Sequence, residues 1–163
     1  MLGERIGGGC SRDTYEIIGD PGRVMKVPKH LFYSIYDDQS FVELMLSATL
    51  KIENPPFAFC EMHELGVLMD RVDFRDDHYL IYECELLSDA HEYFGLCYPY
   101  AKDIYLCDYF QGGMRNGKLL MADYGHCGNE ILDAFTGIRF YEWVQMHRDK
   151  ATEIAKFLGY DRL

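Results

Sequence analysis

The chain has 163 residues, 48% of them hydrophobic and 15% aromatic, which is near the common size of one domain and enough apolar material for one sizeable core. Its formal net charge is −11 and its isoelectric point near 4.9, which argues against direct nucleic-acid binding, because such surfaces gain affinity from clustered Lys and Arg. No run approaches the roughly 18 apolar residues of a membrane-spanning helix and Met1-Leu-Gly-Glu-Arg5 lacks a signal-peptide layout, so a cytoplasmic protein without membrane contact is expected.

Residues 4–18 and 23–28 carry apolar and β-branched residues around a Gly19-Asp20-Pro21-Gly22 turn, the pattern of two antiparallel strands. From Asp37 to Leu50 the apolar positions Phe41, Leu44, Met45 and Ala48 recur at helical spacing, with Asp37 or Asp38 as N-cap and Asn54-Pro55-Pro56 as the stop. Phe57–Cys60 and Leu65–Met69 are short apolar runs, separated by polar Glu61-Met62-His63-Glu64, that read as a second strand pair. Residues 73–103 are rich in Tyr and acidic side chains without a dominant period and are read as mixed. Lys118–Ala122 is a strand after the turn Arg115-Asn116-Gly117, and Asn129–Leu158 is mostly helical, with Gly137 as a divide and Gly159 as the stop.

The cysteines Cys10, Cys60, Cys84, Cys97, Cys107 and Cys127 form no C-x-x-C pair, so a zinc ribbon or dithiol motif is not supported and reduced thiols are expected. The six histidines show no spacing suited to a metal. Three other features carry chemistry. The loop Gly7-Gly8-Gly9-Cys10-Ser11 lies between two predicted strands, where glycines let backbone N–H groups approach phosphate oxygens. Lys26 stands in the apolar run Val24-Met25-Lys26-Val27, which suits an ammonium aimed at an anion. Glu43, 17 positions further on, falls on the inward side of the predicted helix, where it can hold that ammonium.

Together, Gly7-x-Gly9-x-x-Arg12-x-x-Tyr15 followed by Asp20-Pro21-x-x-Val24-x-Lys26-Val27 resembles the N-terminal lobe of protein kinases, in particular small phage- and bacteria-encoded kinase-like proteins. The likeness extends to Gln39-x-x-x-Glu43, to Gly66–Val72 as fifth strand and hinge, and to Lys118–Gly125, whose Asp123-Tyr124-Gly125 is similar to a DFG element. Arg12 departs from the kinase loop, where a third Gly commonly stands.

The resemblance implies an α+β, protein-kinase-like fold. Residues 1–72 would form an antiparallel-sheet N-lobe with one helix, and residues 73–163 a reduced, mostly helical C-lobe. It implies ATP and Mg²⁺ as cofactors, with Gly7, Gly9, Ser11 and Lys26 at the phosphates, Glu43 behind Lys26, the backbone of Asp70 to Val72 at the adenine, and Asp123 at the metal.

The catalytic loop fits less well. Matching Gly113 and Gly117 to the family places Leu106 at the base position and Gln111 at the second metal position, which would abolish ordinary phosphoryl transfer. Taking Asp108 as base leaves Gly113 where Asn belongs, and taking Asp103 as base makes the loop too long. Only 38 residues follow Gly125, with no Ala-Pro-Glu element. The leading expectation is therefore a degenerate, pseudokinase-like protein that keeps a nucleotide pocket and works by binding a protein partner, as a regulator or a phage inhibitor of a host protein. One alternative is a minimal active kinase using Asp108 and Asp123. Another is an acidic nucleic-acid mimic that occupies a basic host protein.

Overall fold

The computed structural model describes residues 1–73 and 111–163. Among them the chain is α+β, with a five-stranded antiparallel sheet, a separate two-stranded hairpin and four α-helices. The strands are β1 Leu2–Gly8, β2 Arg12–Ile17, β3 Arg23–Pro28, β4 Cys60–His63 and β5 Gly66–Asp70, ordered β1-β2-β3-β5-β4, followed by the hairpin β6 Gln111–Arg115 and β7 Lys118–Asp123. The helices are α1 Gln39–Thr49, α2 Gly128–Thr136, α3 Phe140–Met146 and α4 Arg148–Leu158. No helix among the described residues is long and apolar enough to cross a membrane.

The chain divides into two compact units, residues 1–51, 59–71 and 147–163, and residues 52–58 and 72–146. The division expected at residue 72 follows chain order, whereas α4 belongs with the five-stranded sheet and residues 52–58 with the hairpin. The reason is local chemistry at each piece. In the first unit α4 packs on α1, and the Tyr160 hydroxyl accepts from the Phe32 amide at 2.9 Å and donates to Asp38 at 2.7 Å. In the second, the Ala58 amide donates to the Met121 carbonyl and the Met121 amide to the Pro56 carbonyl, both at 2.8 Å.

Two strand boundaries differ from expectation. Residues 4–18 are not one strand but the hairpin β1–β2, broken at the exposed Gly9-Cys10 turn. The second pair starts at Cys60 rather than Phe57, and Glu61-Met62-His63, expected as a polar separator, is the strand itself. β4 is an edge strand, where half-exposed polar residues are tolerated, while Phe57 and Ala58 are buried beside β7 instead. The strand β6 has no apolar alternation and was not expected.

Local chemistry fixes the other elements. Asp38 Oδ1 caps α1 by accepting from the Ser40 amide at 2.8 Å. Gly137 and Gly159 end α2 and α4 in the left-handed conformation, where glycine pays no Cβ penalty. Asn116 and Gly117 both take positive φ between β6 and β7, as a tight hairpin turn requires.

Candidate functional site

The site of interest in the first unit is built from β2, β3 and α1. In the antiparallel register Lys26 of β3 faces Thr14 of β2 and Arg12 faces Pro28. Residues two apart on a strand share a face, so Arg12 and Lys26 emerge on the same side. On α1, Gln39 and Glu43 are one turn apart and also share a face. The four side chains meet. Arg12 Nη1 donates to Glu43 Oε2 at 2.5 Å and Arg12 Nη2 to Glu43 Oε1 at 3.0 Å. Lys26 Nζ lies 3.4 and 3.5 Å from the same two oxygens, and Gln39 Oε1 accepts from Arg12 Nη2 at 3.0 Å.

Glu43 is fully buried and Arg12 and Lys26 are each 7% exposed. A carboxylate taken out of water this completely is tolerable only with charged donors on its oxygens. The two cations and one anion sum to a positive charge, the sign that a phosphate requires. Arg12 and Gln39 were present in the recognised motifs without a role. The signal for them was the spacing: a cation in alternation with Lys26 across the register, and an amide one helical turn before Glu43.

The glycine turn is tied down from the side of β3. Lys29 Nζ donates to the Gly9 carbonyl at 2.7 Å, and the Lys29 amide donates to the Ser11 carbonyl at 2.9 Å. Lys29 Nζ also pairs with Asp13 at 3.2 Å, and hydrogen bonding from Arg5, then from Lys29, holds the Asp13 carboxyl below its usual range. The Gly9 amide donates to the Arg12 carbonyl at 2.9 Å, so a phosphate at this turn would draw on the Cys10 and Ser11 amides rather than that of Gly9. A Cβ on Gly9 would meet nothing within 4 Å, and its φ is ordinary. The fold therefore does not itself demand glycine there.

Gly66 is the opposite case. At φ +151° its missing Cβ would stand 2.5 Å from the Lys26 carbonyl oxygen, so β5 can press against β3 at Lys26 only because residue 66 is glycine.

At the expected hinge, the Asp70 amide donates to the Phe59 carbonyl and the Arg71 amide to the Gly22 carbonyl. Both amides are therefore already engaged. Val72 is buried and belongs to the second unit.

In that second unit Asp123 ends β7, and its Cα register partner on β6 is Gln111, next to an irregularity in the pairing. The two expected metal residues are thus neighbours across one hairpin. Among the described residues no three His, Cys, Asp or Glu side chains cluster as a metal cage would require. Tyr124, the middle residue of the DFG-like element, is wholly buried; its hydroxyl donates to the Ala58 carbonyl at 2.8 Å and its ring stacks on Phe57 at 4.7 Å. Asp108, Asp103 and Leu106, the candidates for the base position, lie outside the described residues.

No protein-family model matches the sequence, and no curated protein or solved structure matches it significantly.

Proposed function

We propose that this protein is a degenerate, kinase-like nucleotide-binding protein that acts chiefly through a protein partner. The observation that carries the reading is the meeting of Lys26 and Glu43: a strand lysine and a helix glutamate, 17 positions apart, stand 3.4 Å from each other in a buried setting, on an antiparallel sheet whose first hairpin turns on glycines. Phosphoryl-transfer proteins of the kinase kind use a Lys–Glu pair of this sort to present an ammonium to nucleotide phosphates.

In this reading the β1–β2 turn and Lys26 bind the phosphates of ATP, and Glu43 orients Lys26. The Asp70–Arg71 backbone of the same unit serves the base, and Asp123 and Gln111, in the second unit, are the residues that the resemblance assigns to Mg²⁺. When bound, ATP with Mg²⁺ would supply an activated phosphoryl group. The residues aligned with the catalytic loop do not restore both a base and a metal-binding Asn, which is the reason for placing partner binding ahead of transfer. The Tyr- and Trp-rich stretches of the second half, such as Phe140-Tyr141-Glu142-Trp143, supply side chains favoured at interfaces, and Tyr141 is exposed.

The test is calorimetric titration with ATP, with and without Mg²⁺, of the native chain and of Lys26→Met. Saturable binding that Lys26→Met loses is expected. Absence of binding to folded native protein would overturn the nucleotide part of the reading. Phosphate transfer from ATP that disappears in Asp108→Asn would replace it with the minimal-kinase alternative.

A further inference from the structure

Glu43 has two cationic neighbours, and they are held differently. Arg12 engages both carboxylate oxygens, one per terminal nitrogen, at 2.5 and 3.0 Å. This is the paired-fork arrangement that gives Arg–carboxylate contacts both strength and direction. Lys26 stands nearly equidistant from the same oxygens at 3.4 and 3.5 Å, beyond the roughly 2.7–2.9 Å of a strong charge-assisted hydrogen bond. Gln39, on the first turn of α1, accepts from Arg12 as well, so one guanidinium grips α1 at two successive turns.

We infer that Arg12 and Lys26 divide a task that a single lysine performs in the arrangement this chain resembles: Arg12 is the positioning residue that fixes α1 to the sheet, and Lys26 is released to serve a nucleotide phosphate. The second half of the inference rests on the nucleotide-binding reading above; the first half does not. The guanidinium is permanently charged and its donors are spread in a plane, so the α1–β2 tie persists whatever Lys26 does. The ammonium, a compact point charge on a flexible stem, can turn from Glu43 to a phosphate oxygen without leaving the buried carboxylate unpaired, because Arg12 still holds both of its oxygens. A resident arginine at the start of β2 also means that the helix bearing Glu43 is fixed before ligand arrives.

The experiment compares Lys26→Met, Arg12→Lys and the double variant by hydrogen exchange of the α1 amides and by ATP titration. Lys26→Met is expected to leave α1 protection within about threefold of native and to weaken ATP binding by about tenfold or more. Arg12→Lys keeps the charge but loses the fork. It is expected to speed α1 exchange by about tenfold or more, and to weaken ATP binding because Lys26 is drawn back to Glu43. In the Lys26→Met background Arg12→Lys should then have no further effect on affinity, a non-additivity that a purely structural role would not produce. An Arg12→Lys chain that fails to fold while Lys26→Met folds would also support the division. Equal loosening of α1 in both single variants, or failure of Lys26→Met to fold, would overturn it. Absence of ATP binding to native protein, with the exchange contrast intact, would refute the nucleotide reading and the role given to Lys26 while leaving Arg12 as the anchor of α1.

Discussion

Glu43→Gln tests how much the buried cluster matters to the fold. The substitution preserves size and shape but removes the negative charge that two cations share, at a side chain with no exposure. Breaking a buried ion pair by neutralising one member typically costs about 3–5 kcal/mol, because it leaves uncompensated buried charge. A domain of this size has about 5–15 kcal/mol in all, so the loss is a large fraction. At about 2–4 °C per kcal/mol for chains near this length, the melting temperature should fall by roughly 6–20 °C. Urea unfolding followed by far-ultraviolet circular dichroism measures this, with the slope unchanged if only stability is affected. Arg12→Met should be costly for the complementary reason, and the double variant Arg12→Met/Glu43→Gln should cost less than the sum of the two, because the residues touch. A Glu43→Gln loss below about 1 kcal/mol, the range of exposed pairs, would refute the premise that this carboxylate holds α1 to the sheet.

Gly66→Ala would force a Cβ to 2.5 Å from the Lys26 carbonyl oxygen at a φ of +151°; a loss of about 2–4 kcal/mol is expected from strain and overpacking, and unchanged stability would contradict the close approach of β5 to β3. Tyr124→Phe removes the donor to the buried Ala58 carbonyl and should cost about 1–3 kcal/mol by chemical denaturation, whereas a neutral effect would mean that this hydroxyl does not anchor the DFG-like turn. Tyr160 is pushed up to about 12 from 10.0, chiefly by burial, with Asp38 adding to the rise and the Phe32 amide opposing it. The folded state thus favours the neutral phenol, so its contribution is fully present below pH 10 and is lost as pH climbs towards 12. Tyr160→Phe should flatten that part of the stability profile, and an unchanged alkaline slope would assign it to another group.

What could be read from the sequence is what short-range chemistry decides. Gly137, Gly159 and Asn116-Gly117 each need only their own φ to be favourable, and the helix or hairpin ends where they stand. Asp38 caps α1 through amides two and three residues ahead. The misreadings arise where a distant partner decides. Phe57 looks like strand because it is apolar, yet its partner is Met121, and the polar Glu61-Met62-His63 becomes strand because β5 offers it an edge. Arg12 could be recognised as an oddity in a glycine loop, but its destination lies 31 residues away on α1, and only the register between β2 and β3 reveals that it shares a face with Lys26. The pairing of Gln111 with Asp123 was equally hidden, because β6 has no apolar alternation to announce it.

If the chain's overall charge of −11 serves a partner and Lys26 serves ATP, as proposed, the two ligands have opposite sign, and salt separates them. If the acidity is the working feature, the partner is basic, contact is through exposed charges, and affinity should fall steadily as the screening length shrinks from about 10 Å at 0.1 M salt to about 3 Å at 1 M. For ATP bound as proposed, the long-range field of an acidic protein is repulsive, while the attraction comes from Lys26, which is 7% exposed and so much less screened. Added salt then removes repulsion faster than attraction. ATP affinity should hold or rise between about 0.05 and 0.5 M NaCl. A steep fall in ATP affinity over that range would mean that the nucleotide meets an exposed basic patch, and the buried Arg12–Glu43–Lys26 cluster would have to be read as a structural ion network alone.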